Sequence, residues 1–206
     1  MTPSRTISVP AARLARWIDG FGERHGGSEA VISGGALHLA GTDGASALIS
    51  PLFQDSGNTV DDFLAHVAHP PRCAVVLVRR GGMAAAIVSD GALEASKVGK
   101  RHVQGRTAAG GWSQQRFARR RDKQVNELVD AAVGYVAEIV LPRLPVEYVV
   151  TGGDRPLVEQ LLADPRLRAL PAMPRGPHLA IPDPTRDVLA SLPTLLTEVR
   201  IDVTDA

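Results

Sequence analysis

Two glycines, two glutamines and a run of cations stand side by side in this chain, and together they suit a polyanion. Residues 97–124 read KVGKRHVQGRTAAGGWSQQRFARRRDKQ, with nine Lys/Arg and one acid, Asp122. The whole chain of 206 residues holds 23 basic and 22 acidic side chains, so its net charge of +1 conceals one short basic stretch in an otherwise acidic sequence. Such asymmetry points to an anionic partner met at one place rather than over the whole surface. Gly110 and Gly111 permit close backbone approach to a ligand, and cations that follow at once neutralise phosphates, which is the pattern of RNA-backbone contact. The candidate RNA contacts are Lys97, Lys100, Arg101, His102, Arg106, Trp112, Arg116, Arg119, Arg120 and Lys123.

The element that must position them is a long helix, expected from about Ser113 to Leu141. At ~100° per residue, Ala118, Val125, Leu128, Val129, Ala132, Val136 and Ile139 share one side. Arg116, Arg119, Arg120 and Lys123 cluster on the other, while Arg121 falls nearer the apolar side, where bonding to RNA and bonding within the protein are equally open to it. With Ser113 as N-cap, Trp112 and Phe117 form a hydrophobic staple that fixes the entry of the chain. The alternative for Trp112 is a ring stacked on a base. Gln114 and Gln115 then occupy the first turn, where free N–H groups favour anions. The glycine-rich loop Gly99–Gly111 is expected to be mobile until RNA neutralises its cations.

Elsewhere, Arg13–Arg24 has helical spacing, and Ala30–Ser33, Ala36–Ala40 and Ala45–Ile49 read as a meander of short strands. Thr59 caps a short helix to Val67 with Asp61 and Asp62 in its first turn. Arg72–Arg79, Met83–Val88 and Ala92–Lys97 are strands, as is Val146–Thr151, which runs into a helix over Pro156–Ala163. A helix near Thr185–Leu196 and a strand over Glu198–Val203 close the chain. Strands alternating with helices predict an α/β sandwich with a mixed sheet. The expected organisation is one domain, 1–206, with an N-terminal extension (1–70), a core (71–170) and a C-terminal extension (171–206).

Composition narrows the classes. A hydrophobic content of 44% suits a globular fold, and no apolar run approaches the ~20 residues of a membrane helix. The first ten residues lack a secretory apolar region. The lone Cys73 opens an apolar strand and reads as a small core residue, which leaves no disulfide or Cys-based zinc site within one chain. A cytoplasmic, monomeric protein without metal or cofactor is expected. His66 and His69 are three apart on a helix but have no acidic or thiol partner for a metal. Asp61, Asp62, Asp90 and Asp154 are scattered, unlike the cluster a two-metal nuclease needs. Thr151-Gly152-Gly153-Asp154 follows a strand as a phosphate loop would, yet lacks the Lys-Ser/Thr of a nucleotide-triphosphate site, so a plain turn is the simpler reading.

The segment GGWSQQRFARRR resembles the catalytic loop of the eukaryotic and archaeal class I peptide-release factors, whose pattern is GGQS, two residues, then RFARxR. Gly110, Gly111, Ser113, Arg116, Phe117, Ala118, Arg119 and Arg121 match without a gap, and Lys100, Arg101 and His102 lie where that family has KKH. The resemblance spans roughly Arg72 to Leu170 and is specific at the loop and helix start. Trp112 stands where the family's glutamine follows the two glycines. The Vms-like release factors that rescue stalled ribosomes instead carry a GxxQ arrangement, which Gly111-Trp112-Ser113-Gln114 fits. The chain is similar to the stand-alone actinobacterial members of that branch.

That resemblance implies a release-factor catalytic-domain-like (RNase-H-like) sandwich and a peptidyl-tRNA hydrolase acting on ribosome-bound nascent chains. Its partners would be the large subunit's rRNA and peptidyl-tRNA, with neither DNA nor membrane among them. The catalytic candidates are Gln114, Gly110 and Gly111, with Gln115 as the alternative glutamine. Two other activities fit the same residues: a factor that cleaves the tRNA 3′ end, and a non-catalytic ribosome- or RNA-binding adaptor.

Overall fold

The computed structural model describes residues 4–53, 57–101 and 112–206, with side chains from 119 onward in the helix that starts at Trp112. Its elements run β1 (Ser4–Pro10), α1 (Ala11–Arg24), β2 (Ser28–Ser33), β3 (Ala36–Gly41), β4 (Ser46–Ser50), α2 (Val60–Ala68), β5 (Cys73–Arg79), β6 (Gly82–Ser89) and β7 (Ala92–Lys100). They continue with α3 (Trp112–Ile139), β8 (Tyr148–Gly153), α4 (Arg155–Leu162), β9 (Arg175–Leu179), α5 (Arg186–Leu195) and β10 (Glu198–Thr204). The fold is α/β, with two five-stranded sheets and flanking helices. Two compact units divide the chain: residues 1–70 with 193–206, and residues 71–192. Among the described residues no helix is long and apolar enough to cross a membrane.

The first unit holds the antiparallel sheet β1-β10-β4-β3-β2. Alternation sets its inner face: Val199, Ile201 and Val203 of β10 are buried with Leu37, Leu39 and Ile49, and pack with Leu14 and Phe21 of α1 and Phe63 of α2. The cap expected at Thr59 is present as a capping box, Asp62 N–H donating to Thr59 Oγ1 at 3.1 Å and Thr59 N–H to Asp62 Oδ2 at 3.3 Å. Sequence periodicity misses β1, whose partner lies at the other end of the chain, with Ile7 opposite Ile201 and Val9 opposite Val199. That long-range pairing also divides what the sequence groups as a C-terminal extension: residues 171–192 belong with the second unit and β10 with the first.

The second unit is built on the mixed sheet β7-β6-β5-β8-β9, antiparallel from β7 to β5 and parallel from β5 to β9. Residues 73–78 of β5 and 82–88 of β6 are all buried, the continuous apolar run of strands covered on both faces. One face packs Leu128, Val133 and Val136 of α3 and Val158 and Leu161 of α4 onto Val76, Val78 and Ile87. At the start of β5, Arg72 grips Glu94 through two guanidinium nitrogens and donates to the carbonyls of Arg143 (2.7 Å) and Pro145 (2.6 Å). This ties three segments of the unit together. Beside it, burial pushes the Cys73 thiol up to about 12, which keeps it protonated and unreactive. The strand β9, RGPHL, is unexpected in a proline-rich stretch. It pairs irregularly with β8, at a sheet edge where Pro177 is tolerated.

The ends of the basic loop differ from expectation. Gly99 and Lys100 belong to β7, which pairs Met83 with Gly99 and Gly82 with Lys100. A side chain at position 99 would collide with the Tyr135 ring, so glycine lets α3 close on this strand. The expectation of a mobile loop otherwise concerns residues 102–111, which lie outside the described residues.

Candidate nucleic-acid interface

The helix α3 begins at Trp112, so Ser113 is already helical rather than the cap. The side chains behind the expected staple, Trp112 and Phe117, lie outside the described residues, as do those of Gln114, Gln115 and Arg116. Gly110, Gly111, His102 and Arg106 lie outside them altogether. From position 119 the geometry is explicit. Arg119, Arg120 and Lys123 are exposed, and Lys123 keeps 79% of its side chain open to solvent.

The structure brings Arg101 and Lys123 to one place. Both reach the carboxylate of Glu127, Arg101 at 3.8 Å and Lys123 at 3.9 Å. Arg119 and Lys123 then border an open groove with Asn126, Glu127 and Asp130 along the same flank of α3. Glu127 is an acid amid the cations that the sequence reading missed, although its i,i+4 spacing from Lys123 is visible in the sequence. Lys100 is exposed at the end of β7.

Lys97 sits apart from this cluster. Its ammonium lies 2.5 Å from Glu138 and 4.6 Å from the centre of the Tyr135 ring. Glu138 is eleven residues beyond Glu127, roughly 16 Å along a helix. Lys97 therefore secures β7 to the far part of α3, where its charge is already matched. Arg121, which the sequence leaves between two roles, is half-buried and borders a separate pocket with Arg79 and Arg80.

The competing sites resolve as structure. His66 donates from Nε2 to the Phe53 carbonyl at 3.0 Å, and His69 from Nδ1 to the Ala65 carbonyl at 2.9 Å. Among the described residues no group of three His, Cys, Asp or Glu is arranged to hold a metal ion. The Thr151–Asp154 stretch ends β8 rather than cradling phosphate. Thr151 is buried and bonds His178 at 2.9 Å, and Asp154 N–H donates to the Val78 carbonyl at 2.8 Å. Gly153 has φ +94°, and a Cβ there would come within 2.2 Å of that same carbonyl oxygen. Only glycine fits the turn.

Comparison with known proteins bears on the same region. The family model described as the Actinobacteria/chloroflexi VLRF1 release factor matches residues 71–202, which includes the whole second unit. Among solved structures, the archaeal translation termination factor aRF1 is similar at 10% identity and a TM-score of 0.35, over 95% of this chain and 68% of that one. Pelota from Archaeoglobus fulgidus is similar at 8% identity and a TM-score of 0.30, over 96% of this chain and 65% of that one. No curated protein matches the chain.

Proposed function

This chain belongs to the Actinobacteria/chloroflexi VLRF1 release factor family, and we propose that it is a peptidyl-tRNA hydrolase freeing nascent chains from tRNA on stalled ribosomes or large subunits. A role in translation termination or ribosome rescue, and with it an interaction with the ribosome, follows from the family. The finer reading rests on one observation: α3 starts directly after the glycine pair, and its first described cations, Arg119, Arg120 and Lys123, face solvent. Such a helix offers cations to rRNA or tRNA phosphates while its continuation is packed in the core. The site of action would be the cytoplasm, where ribosomes work.

The reaction is attack of water on the ester carbonyl, with the bond to the terminal ribose oxygen of tRNA breaking. The products are a peptide carboxylate and a tRNA with its hydroxyl restored. Gln114, or Gln115 in its place, is no general base, because a carboxamide does not take up a proton at neutral pH. Its role is to orient the water, or to order the loop so that backbone N–H groups meet the developing oxyanion. Gly110 and Gly111 allow that close approach. The proton that leaves water and the one gained by the ribose oxygen pass through RNA or solvent.

The test is to mix the protein with peptidyl-tRNA on isolated large subunits and identify the 3′ end of the released tRNA. An intact CCA end is expected, and a shortened end would replace hydrolysis with tRNA cleavage. Absence of any product would reduce the protein to a binding adaptor. Gln114→Ala should abolish release while ribosome binding and thermal stability stay near wild type, since alanine is a good helix former. Wild-type release by that variant, with loss in Gln115→Ala, would move the catalytic role one residue along.

A further inference from the structure

Beneath the amino-terminal stretch of α3 lies a pocket of about 740 Å³ within the second unit. Its walls are Arg79 and Arg80 of the β5–β6 turn, Asp154 and Leu157 at the start of α4, and Arg121 and Val125 of α3. It opens at the carboxyl ends of β5 and β8, a parallel pair, and open α/β sheets hold their ligands at that end.

Arg121 is the anomaly. At 100° per residue it shares a side with Val125, Leu128 and Ala132, so a guanidinium occupies a position that becomes core two turns later. It is half-buried, and among the described residues it has no carboxylate or carbonyl partner. Arg80, exposed at the turn, has none either. Arg79 differs: it donates to the Ile181 carbonyl at 2.8 Å and lies 3.4 Å from Asp183, which balances it.

What remains is two cations without a carboxylate or carbonyl partner among the described residues, lining one pocket with two acids, Asp122 and Asp154. A pocket so balanced gives a bare anion little preference. Its best occupant carries an anionic group for the guanidiniums, hydroxyl donors for the carboxylates, and a flat apolar part for Val125 and Leu157. A nucleotide has all three, and the volume falls in the ~300–1,000 Å³ range of small-molecule sites. We propose that this pocket binds a nucleotide unit, with phosphate on Arg80 and Arg121, ribose hydroxyls on Asp122 or Asp154, and the base against Val125 and Leu157. The unit is either a free 5′-mononucleotide or one residue of an RNA strand.

Calorimetric titration of the free protein with the four ribonucleoside 5′-monophosphates, a short oligoribonucleotide and inorganic phosphate tests this. A nucleotide should bind in the micromolar-to-millimolar range, and inorganic phosphate at least about tenfold more weakly. Arg121→Ala and Arg80→Ala should each weaken nucleotide binding by roughly tenfold or more, the scale of removing one charge-assisted hydrogen bond. Both are solvent-reaching side chains with no protein partner among the described residues, so melting temperatures should hold. Tighter binding of the oligonucleotide, abolished in the same variants, assigns the pocket to an RNA strand. Binding of the mononucleotide alone assigns it to a free nucleotide. No nucleotide binding at millimolar concentration, phosphate binding as tightly as nucleotide, or binding unmoved by Arg121→Ala would each overturn the proposal. No ribosome enters the titration, so its failure is separate from failure of the release reading.

Discussion

From Trp112 to Gln124, α3 carries five Lys/Arg and one acid, whereas from Val125 to Ile139 it carries three acids and no Lys/Arg. The later stretch buries Leu128, Ala132, Val133 and Val136 against the sheet, while Arg119, Arg120 and Lys123 of the earlier one remain open to water. Arg119, Arg120 and Lys123 stand two to three turns beyond the helix start at Trp112, past the first turn where the macrodipole acts, so the dipole does not oppose them. The short helix α2 instead sets charge where the dipole acts, with Asp61 and Asp62 in its first turn. A helix secured by packing along its later half can leave the cations of its earlier half in water.

Two variants break the comparison in opposite senses. Reversing Arg116, Arg119 and Arg120 to glutamate should reduce ribosome association by orders of magnitude. It should also flatten the salt dependence by roughly 0.7–0.9 in log–log slope for each phosphate that is no longer neutralised. Since Arg119 and Arg120 are exposed and all three positions lie beyond the first turn, the melting temperature of the free protein should stay near wild type. Unchanged pelleting with ribosomes across a salt series would end the assignment of this face. Leu128→Ala should do the reverse, lowering unfolding free energy by about 2–5 kcal/mol in a denaturant titration. Binding per folded molecule should stay at the wild-type level.

A smaller effect sharpens the boundary between the two stretches. In the free protein Glu127 lies 3.8 Å from Arg101 and 3.9 Å from Lys123, so its charge would compete with an RNA phosphate for both cations. Glu127→Gln should therefore strengthen binding to RNA a few-fold at low salt, with the gain fading as salt rises, because the competing pair is exposed. Weaker binding by this variant would mean that Glu127 orients the two cations rather than competes for them.

The cation-rich half of α3 is legible in the sequence because it is local: charge counts, glycine placement and matched spacing all fall within residues 97–124. The buried strands β5 and β6 are equally plain from their unbroken apolar runs. What escapes is set by partners distant in sequence. Nothing in SRTISVP announces that β1 pairs residue for residue with β10. The irregular pairing of β9 with β8 is likewise a tertiary effect overriding a proline-rich sequence. Lys97 reads as one more RNA contact because charge counting cannot see Glu138 and Tyr135 approach it from α3. Arg121 is ambiguous in the sequence for a physical reason, since its helical angle faces inward where the core has already ended.

The smallest expected effect lies on the outer side of the packing half. There Arg166 reaches Asp130 of α3 at 2.7 Å and Asp164 at 2.8 Å, tying the helix to the 3₁₀ turn Pro165–Leu167. Hydrogen bonds from the Arg166 side chain and backbone hold the Asp164 carboxyl down at about 2, against an ordinary value of 3.8. A carboxyl with a lowered folded value binds fewer protons in the folded than in the unfolded state, so its contribution is fully present above pH 3.8 and is lost as pH falls through about 2. The pair is exposed, so the contribution is small. Melting temperatures of wild type and Asp164→Asn should differ by a small, constant gap from pH 7 to pH 5, and the gap should close as pH falls through about 4 to about 2. A gap that widened in acid would show that Asp164 is stabilised by its proton rather than by its charge.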